Sequence, residues 1–239
     1  MATTTAVKTG NAFIEELEQI RSQFRRESPR GSMGYRSKEE GAESKRRGLK
    51  GGSFNHTFAG EQYVNCPEKT IRRKQLQKLM DEGGQIHFDG PVASHPTLAR
   101  WEAKAYGLTD EEIYKLERED YLPDELILRG WRVSVCRNAH FAIAIGTSYV
   151  GEGETLIRSQ QEPEKVAAEL EELRQQFREW GIEDLEKAMA NRAVHAEADE
   201  DHGSFNQWVI RDYCNTPELQ EEMRKVFILR AHSRLGRHF

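Results

Sequence analysis

Residues 131–150, WRVSVCRNAHFAIAIGTSYV, decide the fold. Their near-continuous apolar character marks the buried central helix of a helical domain, running from about Asp124 to Val150. The β-branched residues inside the stretch leave a strand as the weaker option. Working outward, the same periodic signal recurs on both sides. Residues 11–27, NAFIEELEQIRSQFRRE, place Phe13, Ile14, Leu17, Ile20 and Phe24 at three- and four-residue intervals, with Asn11 as N-cap. Pro67 opens a helix over 67–82 with Ile71, Leu76, Leu79 and Met80 as its apolar positions, and Gly83-Gly84 end it. A helix over 95–108 stops at Gly107, and Thr109-Asp-Glu-Glu is a capping-box start for 110–120. Helices over 163–180, 182–212 and 217–235 complete the set, separated by Gly181 and Asn215-Thr216-Pro217. The expectation is an all-α chain, a bundle of about seven helices.

Against this pattern stands the stretch 28–53, SPRGSMGYRSKEEGAESKRRGLKGGS. It holds six glycines and a proline, with Met33, Tyr35 and Leu49 as almost its only apolar residues. Such a composition buries too little surface to offset its ordering entropy, so a Gly-rich mobile loop is expected there. From Arg21 to Lys50 it carries ten Lys/Arg against four Glu, a basic segment inside an acidic protein. Residues 1–10 read as an N-terminal tail, and 11–239 as one helical domain.

The whole chain has 239 residues, 35 Lys+Arg against 40 Asp+Glu, and 37% apolar residues. Its mean hydropathy is −0.79. A net charge of −5 argues against a general nucleic-acid or anionic-membrane binder, which needs a basic excess. No run approaches the ~18 apolar residues of a membrane span, and the first residues lack the apolar core of a secretory signal. Cys66, Cys136 and Cys214 cannot all pair and form no CxxC, so a reducing cytoplasm is expected.

The chemistry is concentrated in 195–202, HAEADEDH. At about 100° per residue, His195, Asp199 and His202 fall at about 0°, 40° and −20°, one row within an arc of roughly 60°. Glu197 and Asp201 face elsewhere. Ala188 and Val209 extend the row, so the stripe is otherwise core-facing. Two imidazoles and a carboxylate on a buried line need a partner, and a divalent metal supplies one. Nitrogen and oxygen donors without thiolate favour iron or manganese over structural zinc. A mononuclear site closes with these three and water; a dinuclear one needs donors from other helices. Glu152 closes the central apolar stretch, Glu82 ends the 67–82 helix, and His95 opens the next. His140 lies about 120° from Glu152 around the helix and does not share its face.

Three blocks of the chain resemble the haem-oxygenase-like diiron oxidases and oxygenases, relatives in fold of thiaminase II and of pyrroloquinoline quinone synthase C. EQYVNCPEKTIRRKQLQKLMDEGG…HPTLARWEAKAYGL is similar to the family's helix, acidic residue, glycines, His and helix ending in Gly-Leu. AIGTSYVGEG is similar to its small-residue helix ending in a ligand Glu-Gly, and GIEDLEKAMANRAVHAEADEDH to its third ligand block. The resemblance covers roughly 61–230. It implies a single haem-oxygenase-like bundle in which Glu82, His95, Glu152, His195, Asp199 and His202 hold two Fe(II), with O2 as co-substrate. Departures are a long Glu82–His95 interval, with Asp81 and His87 as neighbours able to substitute, and an insertion around RSQQEPEK.

The activity implied is oxidation of a small organic substrate by decarboxylation, desaturation, carbon–carbon scission or N-oxygenation, with no catalytic group beyond the metal ligands. On the central helix Phe141, Ile145, Ser148 and Tyr149 lie on or beside the Glu152 face and are candidate pocket residues. Arg137 continues that face and is a candidate partner for a substrate carboxylate. An amino-acid-like substrate is favoured. Helical domains of this type often pair, which makes a homodimer compatible with the reading. Two alternatives are a metal-free enzyme of the same fold and a non-catalytic helical protein that binds a small molecule.

Overall fold

The structure is a computed structural model. It describes residues 7–27, 35, 37–50, 55–83, 86–87, 90–91, 93–118 and 123–235, with the side chains of 25–27, 55–56, 81, 83, 86–87, 90–91, 123–125, 196–200 and 233–235 outside that description. The chain is all-helical, as the periodicity predicts. In order, the helices are α1 (Gly10–Glu27), α2 (Lys38–Leu49), α3 (Asn55–Asn65), α4 (Lys69–Gly83), α5 (His95–Ala105), α6 (Asp110–Arg118), α7 (Pro123–Asn138), α8 (Phe141–Gln161), α9 (Pro163–Glu179), α10 (Leu185–Tyr213) and α11 (Pro217–Leu235). A two-residue antiparallel pairing of Ile86–His87 with Gly90–Pro91 is the sole β element among the described residues.

The described helices number eleven rather than about seven, and three local causes account for the difference. The long helix expected over 124–150 is two helices. Asn65 Nδ2 donates to the carbonyls of Cys136 (3.0 Å) and Ala139 (2.8 Å), satisfying the open end of α7, and His140 Nδ1 accepts from the Ala142 amide to start α8. Within the stretch expected to be a mobile loop, 38–49 is helix α2. Ser37 caps it by accepting from the Glu40 amide at 3.2 Å. Glu39 and Glu40 in its first turn and Arg46 and Arg47 in its last complement the helix dipole. Gly41, which reads as a breaker, lets this helix lie on the Tyr106 ring: a Cβ there would fall 2.1 Å from Cε1. Residues 28–34, 36 and 51–53 of that stretch lie outside the described residues. Finally, α3 occupies residues for which no periodic signal stands out. Thr109 caps α6 as read, its Oγ1 accepting from the Glu112 amide at 3.2 Å, while the Glu112 carboxylate accepts from Arg46 Nε instead of closing the reciprocal half of a capping box.

The apolar interior falls into two principal clusters. The larger joins Phe13, Ile14 and Leu17 of α1, Phe141, Ile143, Ile145, Tyr149 and Val150 of α8, Val209 and Ile210 of α10, and Met223 and Phe227 of α11. The second joins Ala42 and Leu49 of α2, Ala103 and Tyr106, Ile113 and Leu116 of α6, Leu173 and Phe177 of α9, and Ala188 and Met189 of α10. Helix α10 therefore serves both, with its apolar ends in different clusters and its polar middle between them. That middle lies along α8 on one side and α5 on the other. The approach to α8 is close because residue 203 is glycine: a Cβ there would stand 2.8 Å from the Glu152 carbonyl oxygen. No described helix is long and apolar enough to cross a membrane.

Candidate metal centre

Three helices converge on the polar middle of α10. Glu82 comes from the last turn of α4, His95 from the first residue of α5, Glu152 from the middle of α8, and His195 and His202 from α10. Glu82, Glu152 and His202 each offer a ligand atom, and the three atoms lie within 4.8 Å of one another. His95 adjoins them, with Nδ1 2.9 Å from Glu82 Oε2. The His195 ring lies against that of His95, centroids 4.6 Å apart. Five of the six residues expected from the sequence to be ligands are thus neighbours. The side chain of the sixth, Asp199, lies outside the described residues, as do those of Asp81 and His87.

Local sequence explains each placement. Ser94 caps α5, its hydroxyl accepting from the Thr97 amide, and Pro96 fixes the first turn, so His95 is held at the helix start. Glu152 follows the wholly buried run 141–150 and projects where α8 passes Gly203. His202 immediately precedes that glycine and is buried. Burial pushes the Glu82 carboxyl up, but hydrogen bonding and charge from His95, with charge from Lys78 and His202, outweigh it and hold the group at about 2. Glu82 is an anion at neutral pH.

Two further residues complete the cluster without having been singled out in the sequence. Lys78, buried on α4, directs Nζ to both carboxylate oxygens of Glu152, at 2.7 and 2.5 Å. Asn206 Nδ2 donates to Glu152 Oε2 at 2.5 Å. Both were detectable in principle. Lys78 precedes Glu82 by four residues and shares its helix face, while Asn206 continues the row of His195, Asp199 and His202 toward Val209. A lysine beside a carboxylate on a polar helix is, however, ordinary surface pattern until α8 is known to cover it.

The residues read as pocket-lining have other surroundings. Phe141, Ile145 and Tyr149 belong to the larger apolar cluster. The Tyr149 hydroxyl accepts from Gln207 at 3.2 Å, and its ring lies under the Arg21 guanidinium. Burial and the neighbouring Glu18 push its phenol well up. Ser148 Oγ accepts from Arg132 at 3.0 Å and from Gln62 at 3.3 Å. Arg137 is turned to solvent, with a side chain 62% exposed, and its guanidinium is engaged by Glu61.

As a donor set, the two carboxylates and one imidazole of Glu82, Glu152 and His202, without thiolate, could hold a divalent cation. Glu82 and Glu152 bring two carboxylates together, and Lys78 supplies a cation to the second of them. No protein-family model matches the chain, and no curated protein matches its sequence.

Proposed function

We propose that this chain is a nonhaem diiron oxidase or oxygenase with a haem-oxygenase-like bundle, acting on a small, amino-acid-like molecule. One observation carries the reading. Glu82, Glu152 and His202, from three helices distant in sequence, bring ligand atoms within 4.8 Å, and His95 and His195 stand beside them. The resemblance of the same blocks to that family supports it independently. Glu82, His95, Glu152, His195, Asp199 and His202 would hold the metal. Two ferrous ions, when bound, supply the electrons that activate dioxygen.

The chain's own groups have definite tasks in this scheme. Glu82 is already ionised and offers its carboxylate without releasing a proton. Asn206 fixes the orientation of Glu152 through Oε2, the kind of outer hydrogen bond that sets a ligand's rotamer. The burial of Glu82, His95 and His202 keeps bulk water from competing for the donors. Anaerobic reconstitution with ferrous iron, followed by iron counting and measurement of oxygen uptake, tests the proposal. About two irons per chain are expected, falling to one or fewer in His195→Ala. Failure to take up iron would overturn it.

A second reading, a metal-free enzyme of the same fold, is favoured by one contact: the Lys78 ammonium already supplies a cation to Glu152. In that case polar groups of the cluster bind substrate directly, and chelators leave turnover unchanged.

A further inference from the structure

A second buried polar cluster lies on the same α5–α10 seam. Glu102 is fully buried, and its carboxylate receives Lys45 Nζ at 2.6 Å, Arg192 Nε at 2.8 Å and Asn191 Nδ2 at 2.5 Å. Two cations thus share one carboxylate. Burial drags the Lys45 ammonium down, and Glu102 opposes this while Arg192 adds to it. Arg192 commits Nε alone, and among the described residues its two terminal nitrogens make no hydrogen bond. The Arg192 and Lys45 side chains retain 25% and 15% exposure, so neither is sealed from solvent. Beside them stands Tyr106, 3% exposed, with no hydrogen-bond partner for its hydroxyl among the described residues. Its ring faces the Lys45 ammonium at 5.8 Å. Two half-buried cations against one carboxylate leave a positive charge in excess, the Tyr106 hydroxyl lacks a partner, and an anion that reached both would relieve them.

The position relative to the metal ligands gives this cluster its meaning. Glu102 follows His95 by seven residues on α5, two turns or about 10 Å. Arg192 precedes His195 by three on α10, about 4.5 Å. We propose that Lys45, Arg192 and Tyr106 bind the anionic group, carboxylate or phosphate, of the substrate whose reacting carbon reaches the His95–His195 end of the seam. This rests on the cluster of Glu82, Glu152 and His202 being the reacting centre only for what happens at the far end; the anion site stands on its own contacts. A separation of roughly 5–10 Å between charge and reacting carbon fits a molecule of amino-acid size. The carboxylate-recognition role suggested in the sequence for Arg137 passes to Arg192, which is placed on the seam.

Isothermal titration of the metal-free protein with inorganic phosphate, and separately with acetate, tests this and tells which head group is preferred. Saturable binding of at least one is expected, with a stoichiometry near one. Arg192→Gln and Lys45→Gln should each weaken it tenfold or more. Because either change also strips a partner from buried Glu102 and so lowers stability, Tyr106→Phe is the control: it preserves every ion pair and should weaken binding several-fold at unchanged melting temperature. His195→Ala should bind the anion as wild type does while losing iron. No saturable binding to wild type, or wild-type affinity in Tyr106→Phe, overturns the proposal. So does loss of anion binding in His195→Ala, since the anion would then sit on the metal donors. Iron failure with anion binding intact would instead remove only the diiron reading.

Discussion

Lys78 is the residue on which the electrostatics of the cluster turn. Its Nζ spans both oxygens of Glu152, so it neutralises a carboxylate that a metal would otherwise claim. Lysine and metal compete for the same lone pairs. Lys78→Met keeps the stem's bulk and removes the charge. We expect the metal-free variant to melt several degrees lower, since removing one partner of a buried pair costs on the order of a few kcal/mol. Ferrous or manganous ion should bind it about tenfold more tightly than wild type, by anaerobic titration calorimetry, and should restore the lost stability. A second expectation at this scale concerns acid. Burial pushes Glu102 up, but Lys45 and Arg192 outweigh it and hold the group at about 2, below its ordinary 4.5. A depressed carboxyl contributes stability that is full above about 4.5 and is lost as pH falls toward 2. Glu82, held equally low, adds to the same window. Melting temperatures measured from pH 7 to pH 3 should therefore fall steeply below about 4.5 in wild type. They should fall less steeply in Glu102→Gln, which has no proton to gain at that position.

At the scale of elements, the seam between α8 and α10 depends on Gly203. Alanine there gains about 1 kcal/mol of helix propensity. Its Cβ, however, meets the Glu152 carbonyl oxygen at 2.8 Å and Leu156 Cβ at 2.8 Å, and backbone cannot rotate away. Overpacking of that kind costs roughly 1–3 kcal/mol, so the steric effect wins. Gly203→Ala should lower the melting temperature modestly, and Gly203→Val should lower it further and abolish iron uptake by parting Glu152 from His202. Circular dichroism melts and iron counts read both. Helix α1 was legible because one apolar face repeats at 3.6 residues, and on α10 the row through His195 and His202 came from helical spacing alone. Helix α2 was not legible. Its glycines argue for disorder unless one knows that Gly41 lies against Tyr106 and that Lys45 is drawn to Glu102. The α7–α8 break was hidden for a similar reason: it is stabilised by Asn65, over seventy positions away from Ala139 in the chain. Lys78 and the Glu102 cluster share that limitation, since their meaning comes from tertiary partners rather than from spacing.

At the scale of the whole molecule, the interior is divided, with one apolar cluster around α1, α8 and α11 and another around α2, α6 and α9. Both candidate sites lie along α5 and α10 where the division falls, and Tyr106 of the second also packs in the cluster around α2, α6 and α9. This arrangement places Asn191, Arg192, His195, His202 and Asn206 of α10 between the two apolar clusters. The low apolar fraction of the chain is consistent with it, because some of the 40 acidic residues face inward rather than toward water.

Helix α10 runs unbroken for 29 residues and gives Ala188 and Met189 to one cluster, Val209 and Ile210 to the other. Neither cluster can come apart without fraying a rod that the other is gripping. The two halves should consequently melt as one cooperative unit, with calorimetric and van't Hoff enthalpies equal. Phe177→Ala, which opens a cavity in the α9 side, should shift a single transition downward by the ~3–5 kcal/mol of a lost core aromatic. A split into two transitions would mean that α10 gives way at its polar middle, and that the folded halves are energetically independent neighbours.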